Sequence, residues 1–170
     1  MGLLGVNERS ENNASSFVRS ELFARTFREG MALVEDTASY LDGDGRDESK
    51  DLPRDAALTY ASISMRLTTR LMQIASWLLV LRAVREGEMS IDEASDEKYR
   101  ITPKPSRSAD MISEAMPKRL AGLVAASDQL YRRINRLDAE LFLSETDKDA
   151  GANDAAGQQR ALFKAFGRGA

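Results

Sequence analysis

The sequence predicts an all-α protein: an antiparallel three-helix bundle with a flexible C-terminal tail. Three observations carry that prediction. Leu58 to Arg85, LTYASISMRLTTRLMQIASWLLVLRAVR, contains no Asp, Glu, Pro or Gly. The long segments on either side repeat their apolar residues at heptad spacing, as helices packed at shallow angles do. The stretch 145–170 then turns to Gly, Ala, Asp and Gln, a composition too poor in apolar groups to offset the entropy of ordering. The organisation expected is a flexible N-terminus over 1–14, a bundle domain over 15–144 and a disordered tail over 145–170.

The first helix is predicted from about Ser15 to Leu41, with Ser15 or Ser16 as its cap. Phe17, Ala24, Met31 and Ala38 form one heptad register, and Phe27, Val34 and Leu41 the other. Leu22, Leu33 and Tyr40 lie off this seam. Gly30 interrupts the helix at a cost of about 1 kcal/mol against Ala, and a close backbone approach is the reason expected for it. Asp42 to Asp55, DGDGRDESKDLPRD, reads as an acidic loop. Asp42, Asp44 and Glu48 invite a calcium reading, but the sixth position from Asp42 is Asp47 rather than Gly, and the twelfth is Pro53 rather than Glu. A solvated turn is the better reading. Pro53 suits the first turn of the next helix.

The central helix is apolar on nearly every face. One seam runs through Leu58, Met65, Met72 and Leu79, a second through Tyr60, Leu67, Ile74 and Leu81, and Leu71, Trp77, Leu78 and Val84 fill the faces between. Such a helix must be covered nearly all round, more than one thin bundle can do, so a homodimer is expected. Trp77 should be buried. Gly87 is a plausible left-handed terminator. Ser90 and Glu93 form a capping box for a short helix from Ile91 to about Lys98. ITPKPSRS, 101–108, is held extended by Pro103 and Pro105. The third long helix runs from about Pro117 to Ser144, with Leu120, Leu123, Leu130, Ile134, Leu137 and Leu141 as its seam and a turn before it over Met111–Met116.

Composition excludes much chemistry. The chain of 170 residues has no His and no Cys. A Ser–His–Asp triad, a histidine base, imidazole or thiolate metal ligands and disulfides are all ruled out. No phosphate loop is present, and no catalytic residue, metal site or cofactor is assigned. The net charge of −3 and pI near 5.2 argue against nucleic-acid coating. Leu71 to Val84 falls short of the roughly 20 apolar residues of a membrane span, and MGLLGVNERSENN lacks the pattern of a secretory signal. A soluble intracellular protein without an integral membrane segment is the expectation.

Few residues stand out as sites. Arg66 and Arg70, one turn apart in the apolar helix, should pair with acids of a neighbouring helix; holding an anion is the alternative. Arg132, Arg133 and Arg136 read as a solvated basic face. Near the C-terminus, RALFKAF sets Leu162, Phe163 and Phe166 beside Arg160, Lys164 and Arg168. It is either a segment folding back on the bundle or a linear motif that becomes helical in a partner's groove.

YASISMRLTTRLMQIASWLLVLRAVREGEM, with FREGMALVEDTASYLDGDGR upstream of it, resembles the regulator of CtrA degradation (RcdA) family of bacterial cell-cycle proteins. The resemblance covers the first and central helices and fades through 88–116 and beyond. It implies a three-helix bundle, a homodimer and a non-enzymatic adaptor that assists proteolysis of cell-cycle regulators by the ClpXP protease. The implied partners are other adaptors, protein cargo and ClpXP, and the implied location is the cytoplasm, with enrichment at a cell pole. It supplies no catalytic residues. The alternative is a helical interaction or peripheral membrane-associating module with no proteolytic role.

Overall fold

A computed structural model of the chain describes residues 4–104 and 107–142, with side chains from residue 11 onward. The described residues form six α-helices: α1 (Leu4–Val18), α2 (Glu21–Asp42), α3 (Asp44–Lys50), α4 (Arg54–Glu86), α5 (Ile91–Ala94) and α6 (Lys118–Phe142). Short 3-10 turns lie at Glu97–Tyr99 and Ala109–Met111. No strand occurs among the described residues.

The long helices α2, α4 and α6 make the bundle, but they are not all antiparallel. At one end Gly45 brings Tyr40 of α2 against Tyr60 of α4; further along, Gly30 of α2 lies against Leu78 and Ile74 of α4. Those two helices therefore run in opposite directions. Arg119 lies 5.4 Å from the Tyr40 ring and Arg133 pairs with Glu29, so α6 also opposes α2. In contrast, Arg70 meets Asp128, and Trp77, about two turns on, meets Asp138. Helices α4 and α6 are parallel. The segment 87–117 must then return the length of the bundle.

The predicted first helix is two helices. The chain breaks at Arg19–Ser20, and Ser20, not Ser15 or Ser16, is the cap of α2. Its Oγ accepts from the Phe23 amide at 3.2 Å, and its hydroxyl donates to the Phe17 carbonyl at 2.6 Å. The heptad register of Phe17 and Ala24 continues across the break and conceals it. The N-terminal 14 residues are correspondingly not a mere lead-in: α1 begins at Leu4, and Ala14 and Val18 are buried. The break sets Phe17 edge-on to Phe23 at 5.7 Å and 6.4 Å from Trp77.

Within α2 the buried stripe is Phe23, Thr26, Gly30, Thr37 and Tyr40. It is rotated from the apolar register read in the sequence, with Thr26, Gly30 and Thr37 sharing the buried face with Phe23 and Tyr40. A Cβ at Gly30 would sit 2.4 Å from Leu78 Cδ1, the close approach expected of it.

The acidic segment after α2 is a helix where a loop was expected. Asp44 and Asp47 in the first turn of α3 and Lys50 in its last favour the helix dipole. The three acids of the calcium reading are spent separately. Asp42 lies 3.8 Å from Arg46, Asp44 lies 3.7 Å from Arg119, and Glu48 accepts from the Tyr40 hydroxyl at 2.7 Å.

Pro53 occupies the cap position of α4 rather than its first turn. Gly87 terminates α4 at φ +79°, the left-handed conformation open to glycine. Tyr60, Ile63, Leu67, Leu71, Ile74, Leu78 and Leu81 form one buried row between α2 and α6. By length and composition α4 would also pass for a membrane-crossing helix, longer than the count over Leu71–Val84 allowed. A third of its most apolar 18-residue stretch is buried. The Ser90–Glu93 capping box forms as read, Ser90 Oγ accepting from the Glu93 amide at 3.1 Å and Glu93 Oε2 from the Ser90 amide at 2.8 Å. The helix it starts stops at Ala94.

Candidate interaction surfaces

Three side chains hold the returning segment in place, and together they define the surfaces beside α4. After the Glu97–Tyr99 turn the chain extends from Arg100 (φ −72°, ψ 143°) along the seam between the two parallel helices. Arg100 reaches α6, where Nη1 lies 2.9 Å from Asp138 Oδ1, an ion pair off the angle that a hydrogen bond requires. Its Nη2 donates to the Ala94 carbonyl, and its guanidinium lies 3.5 Å from the Phe142 ring centroid. Next, the Tyr131 hydroxyl donates to the Thr102 carbonyl. Last, Arg70 Nη2 donates to the Lys104 carbonyl at 3.3 Å. The extended strap expected from the prolines is thus stitched to both helices.

Asp138 is the pivot of this stitching. It is 5% exposed and accepts from the Trp77 indole N–H at 2.7 Å. Burial pushes its carboxyl above the ordinary value, against the opposing pull of the Trp77 hydrogen bond, the Arg100 charge and the Ile101 amide. Burial likewise lowers the Arg100 guanidinium, and Asp138 opposes that shift. Neither residue was singled out in the sequence. The signal available was the seam itself: Asp138 occupies the helical position between Ile134 and Leu141 where an apolar residue belongs.

The residues that were singled out fall into different places. Trp77 is 2% exposed. Arg70 lies 3.5 Å from Asp128 and stacks 4.0 Å from the Tyr131 ring centroid. Arg66, one turn earlier, is exposed and makes no ion pair among the described residues, so the pairing expected of both arginines is made by one. On the basic face of α6, Arg133 pairs with Glu29, while Arg132 and Arg136 are exposed. Leu162, Phe163 and Phe166 lie outside the described residues.

The second surface is apolar. Leu58, Met65, Met72 and Leu79 are 65%, 72%, 68% and 47% exposed. These are the four residues of the first seam read on the central helix. The second seam, Tyr60, Leu67, Ile74 and Leu81, is entirely buried. At 1.5 Å per residue the exposed row runs for about 30 Å. Beside it, the hydroxyls of Ser64, Thr68 and Thr69 donate to their own helix carbonyls four residues back.

Residues 14–166 match the family described as "Protein of unknown function (DUF1465)". The crystal structure of RcdA from Caulobacter crescentus CB15 aligns with a TM-score of 0.64 at 53% sequence identity, covering 76% of this chain and 98% of the RcdA chain. No curated protein matches the chain. Identity at this level across almost all of the solved chain places this sequence in the RcdA family.

Proposed function

We propose that the protein is a non-enzymatic adaptor that assists ClpXP in degrading cell-cycle regulators, and that it works as a homodimer in the cytoplasm, with enrichment at a cell pole. Kinship with RcdA supports this reading, and the exposed row on α4 carries it. Covering each of its large side chains is worth about 1.5–3 kcal/mol. A straight row at heptad spacing is complementary to a second copy of itself about a two-fold axis, so a second copy of the chain is the occupant proposed. The sequence, lacking His and Cys, offers no imidazole base and no thiol nucleophile.

Analytical ultracentrifugation of the full chain and of Met65→Glu/Met72→Glu, followed by capture on immobilised ClpX with a known co-adaptor, tests the proposal. The wild type is expected as a dimer that joins the ClpX assembly, and the variant as a folded 18.8 kDa monomer impaired in joining it. A wild-type monomer overturns the dimer; no association with ClpX or a co-adaptor overturns the adaptor. The alternative, a peripheral membrane module, rests on the apolar and basic residues of RALFKAF. Co-sedimentation with anionic liposomes, lost on deletion of 145–170, would favour it.

A further inference from the structure

Adjoining the apolar row at Met65, between α4 and the strap, lies a groove of about 490 Å³. Its charged lining is Arg66, Arg70, Lys104 and Arg107, with no carboxylate among the lining residues. Arg70 and Lys104 also wall a second cavity of about 630 Å³, to which α6 contributes Arg132 and Asp128. The two cavities thus form one trough on either side of a shared wall. Its single acid, Asp128, lies against Arg70. Arg66, Lys104, Arg107 and Arg132 are exposed and make no side-chain ion pair among the described residues.

This concentration of positive charge is not a consequence of composition, since the chain carries a net charge of −3. Nor is it a by-product of packing. Like charges gathered without counter-charges repel one another, and the strap that brings Lys104 over Arg70 is held there by three separate contacts. Arg70 is spent on Asp128, the Tyr131 ring and the Lys104 carbonyl, whereas Arg66, Lys104, Arg107 and Arg132 face solvent.

We propose that this trough binds an acidic peptide segment of a partner protein. The uncountered charge carries the proposal. Arg66, Lys104, Arg107 and Arg132 line the trough and are exposed, while its single acid, Asp128, is already taken by Arg70. A segment rich in Glu or Asp supplies the carboxylates that these four cations lack. A peptide fits better than a nucleic-acid strand. Tyr131, the aromatic residue in the lining, already carries Arg70 on its face at 4.0 Å, so no ring is free to stack a base. The proposal deepens the adaptor reading by giving one partner a chemistry, and its test contains no protease.

Fluorescence anisotropy with a labelled alternating Glu-Ser peptide, titrated with the full chain, is the test. Its arms are the matching Gln-Ser peptide, a labelled oligo-dT, inorganic phosphate as competitor, and the variant Arg66→Glu/Arg107→Glu, whose thermal melt checks its fold. The Glu peptide is expected to bind, to weaken by about tenfold or more in the variant, and to weaken again as salt rises from about 50 to about 300 mM. Arg66→Lys/Arg107→Lys should retain most of the binding. Equal binding of the Gln peptide, an unchanged affinity in the charge-reversed variant, or tighter binding of oligo-dT through the same residues overturns the proposal. So does competition by millimolar phosphate strong enough to account for all peptide binding. Peptide binding by a chain that fails to join ClpX would leave the trough standing and remove the adaptor reading.

Discussion

Trp77 on α4 donates its indole N–H to the Asp138 carboxylate on α6 across 2.7 Å, and both side chains are buried. Because α4 and α6 are parallel, this bond couples the helices directly, while Arg100 on the other side of the carboxylate ties in the strap. One carboxylate therefore joins three segments distant in sequence.

Trp77→Ala is expected to destabilise the fold by about 3–5 kcal/mol, and Trp77→Phe, which keeps most of the volume but removes the donor, by about 1–3 kcal/mol. Urea denaturation followed by circular dichroism measures both. Trp77 is the sole tryptophan, so intrinsic fluorescence reports the same site. Native emission should lie to the blue of the unfolded chain; coincident maxima would place the indole in water.

Stability should depend on pH through Asp138, and the sign is fixed. Its carboxyl is raised above the unfolded value, chiefly by burial. The native state then holds a proton that the unfolded chain has released, so this contribution is fully present below the unfolded value and is lost as pH rises through the folded one. Relative to Asp138→Asn, the wild type should lose stability between acid pH and neutrality. Urea midpoints of the two proteins at matched pH values test it. A difference that grows in favour of the wild type as pH rises would mean that Arg100 and Trp77 outweigh burial.

Glycine substitutions should separate two kinds of close contact. A Cβ at Gly30 meets the far end of Leu78, a flexible side chain, and helix propensity returns about 1 kcal/mol. At Gly45 it meets the Tyr60 hydroxyl at 2.6 Å and the Tyr40 ring at 2.7 and 2.8 Å, and rings cannot bend aside. Gly45→Ala is expected to lower the melting temperature more than Gly30→Ala. The reverse order would show that α3 lifts off the tyrosines at little cost.

Deletion of 145–170 should leave the melting temperature nearly unchanged, since the buried rows of α2, α4 and α6 all lie before it. Alanine at Leu162, Phe163 and Phe166 should preserve the dimer and weaken adaptor-dependent degradation, because a tethered apolar segment raises the effective concentration of what it holds. Undiminished degradation in the triple variant would reduce this segment to a solvated end.

The long helices were legible because burial imposes a period. Tyr60, Leu67, Ile74 and Leu81 are buried at the spacing the sequence displays, and the Ser90 and Gly87 signals act locally. Direction was not legible. Whether α6 runs with or against α4 depends on the path of 87–117, and that path is fixed by Arg100, Tyr131 and Arg70 reaching across sequence separations that no local pattern records. The break at Ser20 was hidden for the opposite reason: apolar spacing persisted through it, and only the Ser20 cap marked it. The apolar row was visible as a seam, but which of the two seams faces solvent depended on where α2 and α6 sit.

Bringing cargo to ClpXP, as proposed, has a cellular readout: protein half-lives across the proteome of the source bacterium, with the gene intact, deleted, and restored as wild type or as Met65→Glu/Met72→Glu. A subset of ClpX-dependent proteins is expected to show half-lives that lengthen on deletion, return with the wild type and do not return with the double variant. Unchanged turnover of every ClpX-dependent protein on deletion would mean that the protein delivers no cargo to ClpXP.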